Sequence, residues 1–271
     1  MSRAIPEVSV QALANVSRDE FAAILAGPPE RAAAWVAAAA NHGIVDAQAV
    51  YGQYLLDGHG VERDPDEAFV WFRHAARRDH PMAMNMLGRC YEHGWGTAAC
   101  APVAVYWYRL AARAGLDWGM YNYASALALG NGIECDRTEA LQWFRRAAEL
   151  GHAKSLNFVG SFYEDGWVVA ADADIARDYY RRAAEGGDFR GQFNYARLLA
   201  DRGDIGAALQ WLQRVPRTAT GAFITKMRAW LAASPVSAFR ALERNLAAGV
   251  NANTNIQHSR AAMNFTQEPR Q

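Results

Sequence analysis

The chain has 271 residues, 51% of them hydrophobic, and its 28 basic side chains are balanced by 28 acidic ones. That content supports a large continuous core, yet every apolar run stops well short of the roughly 20 residues that a membrane span needs. The neutral balance leaves no net field to draw a polyphosphate, which weighs against nucleic acid, and three cysteines cannot all pair, so free thiols are expected.

The first fifteen residues hold one arginine and no apolar h-region, so a cytoplasmic setting is expected. Ser17-Arg18-Asp19-Glu20 reads as a capping box opening a short apolar helix to about Ala26, which Gly27-Pro28-Pro29 stops. With the helix that holds Trp35, this forms an N-terminal cap and partial repeat over residues 1–43. A period of thirty-six then governs the chain. Trp35, Trp71, Trp107, Trp143 and Tyr179 keep that interval, as do Gly58, Gly94, Gly130 and Gly166 and the alanine pairs from Ala75-Ala76 to Ala183-Ala184. A fixed period of this size is the mark of a solenoid, whose units bury their apolar faces only by stacking on one another.

Inside one copy, Met84, Leu87, Gly88 and Tyr91, then Ala104, Trp107, Tyr108 and Ala111, fall at i, i+3, i+4 and i+7. Each copy is therefore two amphipathic helices, A and B, with small residues permitting close approach and the tryptophan expected to fill the space between units. Asp64-Pro65-Asp66-Glu67 opens helix B as N-cap, N1 proline and a box-like glutamate at N3. Asp136 with Glu139 repeats the arrangement, Asp172 keeps the cap, and Cys100 takes the same slot in the second copy. Val168 replaces the second turn glycine of the fourth copy. The fifth is four residues shorter between Leu199 and Ala208 and turns at Asp201-Arg202-Gly203-Asp204. Five repeats are expected over 44–215. A hairpin of Gly221–Ala233 and 237–248, broken at Ser234-Pro235, should close the stack within 216–249. Residues 250–271, rich in amides and arginine, should form a mobile tail.

Segments 58–79 (GHGVERDPDEAFVWFRHAARRD) and 130–151 (GNGIECDRTEALQWFRRAAELG) resemble the Sel-one-like repeat, the longer-looped relative of the tetratricopeptide repeat, and the match runs over roughly 30–215. The resemblance implies an all-α, right-handed superhelical α/α solenoid of stacked helical hairpins, used for protein interaction and often as an adaptor, with the A helices lining a concave groove. Register then selects Asn85, Arg89, His93, Trp118, Tyr121, Asn157, Arg190, Phe193 and Arg197, with Lys154, as partner-binding residues. The amides would clamp a peptide backbone, the cations hold carboxylates and the aromatic rings anchor. Trp95 and Trp167, inside two turns, are a possible second strip. The arginine pairs Arg77-Arg78, Arg145-Arg146 and Arg181-Arg182 are expected on a solvated face.

No chemistry is expected. The histidines are scattered, no cysteine pair has zinc spacing, and Cys90, imagined with His93 as nucleophile and base, stands at a repeat core position where a thiol loses acidity. The expectation is a non-enzymatic scaffold without cofactor or metal, binding a protein or peptide but neither nucleic acid nor membrane. A second reading is an accessory protein of a metabolic or iron-uptake pathway holding a small ligand in the groove. A third, a cysteine-dependent or β-lactamase-like hydrolase, lacks the paired cysteines that define such relatives. The repeat residues, dictated by stacking, name neither the partner nor the oligomeric state.

Overall fold

The computed structural model describes residues 8–248, and every regular element among them is helical. The expected tail over 250–271 lies outside the described residues, as do residues 1–7 and residue 249, the last of the expected closing segment. The chain divides into two compact units, the first reaching Ser155 and including Trp167–Val169, the second holding Leu156–Gly166 and the chain from Ala170 on.

In the first unit α1 (Val10–Asn15) and α2 (Arg18–Leu25) precede α3 (Pro29–Asn41). Ser17 accepts from the Glu20 amide while Glu20 accepts from the Ser17 amide, the full capping box. The short α1, capped by Ser9, had no apolar period to announce it. Three hairpins follow: α4 (Val45–Asp57) with α5 (Pro65–Ala76), α6 (Pro81–His93) with α7 (Ala101–Arg113), and α8 (Asp117–Leu129) with α9 (Arg137–Glu149). A core that takes in Phe72, Ala75, Ala83, Leu87, Cys90 and Ala111 runs through neighbouring hairpins, as stacked units require.

Helix α10 (Ala153–Asp165) passes from one unit into the other. The second unit continues with α11 (Ala173–Glu185), α12 (Phe189–Asp201), α13 (Ile205–Leu212), a 3-10 turn at Val215–Arg217, α14 (Gly221–Ala233) and α15 (237–248). Its core joins Phe193, Ala196 and Leu212 to Met227, Leu231, Phe239 and Leu242 of the last two helices. Arg228 holds Glu243 across that final pair at 2.8 Å.

Local chemistry explains the shared geometry. Asp64, Asp136 and Asp172 each stand in extended backbone and accept an amide of the first helical turn. Cys100 has the same backbone but makes no side-chain cap. Glu67 and Glu139 do not close a capping box, contrary to the sequence reading. Their carboxylates instead accept the indole N–H of Trp71 and Trp143 at 3.1 Å, one turn along the helix. Those two indoles also meet Tyr51 and Tyr123 edge-on, so each packs against helix A of its own hairpin. The second arginine of each pair is less free than a solvated face implies: Arg146 and Arg182 lie over Trp143 and Tyr179, and Arg78 donates to the Gly43 carbonyl.

Turn glycines serve two ends. A Cβ on Gly96 would sit 2.3 Å from the Pro65 carbonyl oxygen, so the turn after α6 can rest on the start of α5 only without a side chain. Val168, in the corresponding place, keeps the left-handed conformation at φ 55°, which a β-branched residue adopts under strain.

Candidate functional site

In the first unit the site begins with a missing side chain. Gly88 on α6 leaves space for the Tyr108 ring of α7, which would lie 2.4 Å from a Cβ there. The ring therefore packs close against α6 at Gly88, and its hydroxyl donates to Glu92 Oε2 at 2.6 Å. Burial first, then the bonded carboxylate, raises the Tyr108 pKa, so the phenol stays a donor and orients Glu92. Beside this pair, between α6, α7 and α8, opens a cleft of about 170 Å³ whose lining includes Glu92, Tyr108, Tyr121, Asn122, Ser125 and Leu129.

An aromatic and cationic cluster shares Tyr121 with that cleft. Trp118 is 40% exposed, and the Lys154 ammonium lies 4.8 Å from its ring centre and 5.8 Å from that of Tyr121. His152 packs edge-on against Trp118 at 4.7 Å and caps α10, accepting the Ser155 amide on Nδ1. Burial lowers its pKa; Asp117 opposes this and Lys154 adds to it. A neutral imidazole fits the acceptor role at Nδ1.

Other expected site residues are committed to the fold. Asn85 is 3% exposed and accepts from Asn122 Nδ2 at 2.8 Å, tying α6 to α8. Asn157, in the second unit, is 4% exposed and accepts in the same way from Asn194 at 2.9 Å. Their place in the register faces the next A helix instead of open space, so neither amide is free to clamp a peptide. Phe193 is 8% exposed because α14 covers it with Phe223 and Trp230, and Arg190 lies over Phe189 and Phe223. Arg197 pairs with Glu164 and reaches Asp201 at 4.0 Å. Arg89 lies over Trp95 at 5.0 Å, and His93 stands 3.7 Å from Glu92 and against the same indole. Trp95 is thus folded onto its own hairpin, whereas Trp167 stays 40% exposed with Arg137 over its ring. Of the expected set, Trp118 and Tyr121 are brought together, with Lys154 above them.

Sequence reasoning passed over Tyr108, Asn122 and His152. The signal was a doubled period: Glu92 with Tyr108 recurs as Glu164 with Tyr180 after seventy-two residues, while the alternate copies, the first and the third, carry Leu56 with Phe72 and Ala128 with Phe144. Cys90 is fully buried, with burial pushing its thiol up to about 12, so it is not poised as a nucleophile. No cluster of three His, Cys, Asp or Glu side chains suited to a metal ion occurs among the described residues. No helix among them is long and apolar enough to cross a membrane.

The family model of the Sel1 repeat matches residues 45–80, 81–116, 119–152 and 153–188, more than half of the chain. Among solved structures, a Sel1 repeat protein from Oxalobacter formigenes is 26% identical over 86% of this chain and 99% of its own, with a TM-score of 0.72. A protective antigen with an SLR fold from uropathogenic Escherichia coli is 25% identical over 81% of this chain, with a TM-score of 0.63. This chain spans about half of that antigen, 48%. An immunity protein from Pseudomonas aeruginosa, 17% identical over 78% of this chain and 82% of its own, shares the fold at a TM-score of 0.51. No curated protein sequence matches.

Proposed function

The chain belongs to the Sel1 repeat family, whose members are generally protein-interaction scaffolds, and from that premise we propose that it is a non-enzymatic adaptor that docks a protein segment on the A-helix side of its first unit. The observation that carries this reading is the cluster of Trp118, Tyr121 and Lys154. A large ring left 40% exposed beneath an ammonium group, edge-on to the Tyr121 that lines the cleft, has the composition of an interaction hot spot. Trp118 supplies apolar area and Lys154 a charge that selects the partner's orientation. Leu129, also in the cleft lining, is 80% exposed and extends the apolar part. Asn85, Asn157 and Phe193 take no part in this docking, being spent on stacking.

A pull-down with three proteins tests the proposal: wild type, Trp118→Glu with Lys154→Glu, and Arg77→Glu at the end of α5 as control. The first variant should lose a partner that wild type and control both recover, with all three giving the same helical circular dichroism. Equal recovery by both variants would reject the docking surface.

A further inference from the structure

The second unit carries a filled counterpart of the open cleft in the first. Glu164, Tyr180 and Asn194 follow Glu92, Tyr108 and Asn122 by seventy-two residues and repeat their bonds. Tyr180 donates to Glu164 Oε2 at 2.7 Å as Tyr108 donates to Glu92 Oε2 at 2.6 Å, and the asparagine bonds correspond likewise. Of the positions around them that differ, one bears directly on the carboxylate. Arg197 on α12 sends its guanidinium onto Glu164 Oε1, whereas the corresponding residue on α8 is Ser125, whose hydroxyl turns back to the Tyr121 carbonyl at 2.8 Å. Where that guanidinium would lie, the first unit has its cleft of about 170 Å³. At about 30 Å³ for each water, the space holds some five water molecules, or a planar cation with part of its stem.

We propose that the cleft beside Glu92 is a socket for an arginine side chain of the docked protein segment, which would pair with Glu92 as Arg197 pairs with Glu164. This rests on the reading of the first unit as the docking surface and names the chemistry that enters it. Tyr108 holds Glu92 Oε2, and Oε1, the atom that Arg197 engages on Glu164, accepts no hydrogen bond among the described residues. The cation nearest in sequence, Arg89, makes no ion pair with Glu92. Its guanidinium lies over Trp95, which keeps it off the carboxylate. His93, 3.7 Å from Glu92 Oε2, is the other basic group at hand. Arginine suits the site better than lysine because the Tyr108 and Tyr121 rings line it, and a flat guanidinium stacks on such faces while bonding a carboxylate at its edge.

The test uses N-acetylarginine methylamide as probe, followed by backbone amide shifts in NMR. Saturable shifts at Glu92, Tyr121 and Ser125 are expected, with none from the N-acetylnorleucine analogue and at least a tenfold weakening in Glu92→Gln. Ser125→Arg should fill the socket from within: it should abolish probe binding and raise the denaturation midpoint, and Glu92→Gln placed on top should cancel that rise. The proposal is overturned if the probe gives no saturable shift, or if Glu92→Gln leaves the shifts intact. Should Ser125→Arg fail to fold, the titration of Glu92→Gln decides alone. A partner lost by the Trp118 and Lys154 variant but kept by Glu92→Gln, with no probe binding, would sink the socket and leave the docking surface standing. Probe binding at Glu92, alongside partner capture indifferent to Trp118 and Lys154, would do the reverse.

Discussion

Replacing Cys100 by aspartate should stabilise the protein, and the structure supplies the magnitude. Backbone angles at Cys100 are φ −152° and ψ 97°, close to −139° and 92° at Asp64, −134° and 93° at Asp136 and −147° and 104° at Asp172. At those three positions Oδ1 accepts the amide three residues on, at 2.9, 2.8 and 2.9 Å. In α7 that amide belongs to Val103, and the first turn holds no acidic residue. An aspartate at 100 would satisfy the Val103 donor, worth about 1 kcal/mol for a capping side chain over a non-capping one. For a chain of this size that corresponds to roughly 2–4 °C in the melting temperature. The new carboxylate is bonded only in the native state, so its folded pKa falls below the unfolded value of about 3.9. The gain is then fully present above that value and is lost as the pH drops through the folded pKa. Urea denaturation at pH 7 and at pH 3, with Cys100→Ser as an uncharged cap and Cys100→Ala as a blank, separates these effects. An aspartate variant no more stable than the alanine one at pH 7 would refute the equivalence of the four caps.

Three further outcomes follow from the same geometry. Val168→Gly should relieve about 1–2 kcal/mol of left-handed strain, offset by roughly 0.5–1 kcal/mol of added backbone freedom, so a modest rise in the urea midpoint is expected and a fall would contradict the strain assignment. Gly88→Ala places a methyl group 2.4 Å from the Tyr108 ring and should cost about 1–3 kcal/mol in equilibrium unfolding, and retained stability would mean that the ring is not pinned to α6. In native protein a thiol reagent at pH 8 should modify the exposed Cys135 and the half-buried Cys100 while sparing Cys90 until denaturant is added; early labelling of Cys90 would count against its buried place.

Much of the fold was legible because stacking imposes the same demand on every copy. The glycine that ends helix A, the aspartate that opens helix B and the alanine pair at its end each answer one local steric or hydrogen-bonding need, so their period showed the hairpins directly. Helix α1 escaped notice for the opposite reason: VQALAN is a single short piece outside the period. The candidate site was less readable. Asn85 and Asn157 were assigned to an open face, yet a one-residue offset between neighbouring A helices brings Asn122 and Asn194 against them. That offset depends on how one hairpin leans on the next, which side-chain type does not encode. Phe193 fell to a different effect, since α14 supplies Phe223 and Trp230 where a further repeat would have set its A helix. Trp118 and Tyr121 stood out in the sequence because large rings on a predicted outward row have few structural reasons to be there, and Trp118 is 40% exposed.

The bonded pairs Asn85–Asn122 and Asn157–Asn194 constrain how such an array can change length. Two kinds of junction are present, one joined through carboxamides and one that is apolar, where Ala49 and Met86 hold the matching positions and are both buried. Duplicating one hairpin would set an asparagine against a seam shaped for methyl and thioether groups and strand a polar group in the interior. Duplicating two together conserves both seams, so gain or loss of copies in this lineage should proceed in even steps.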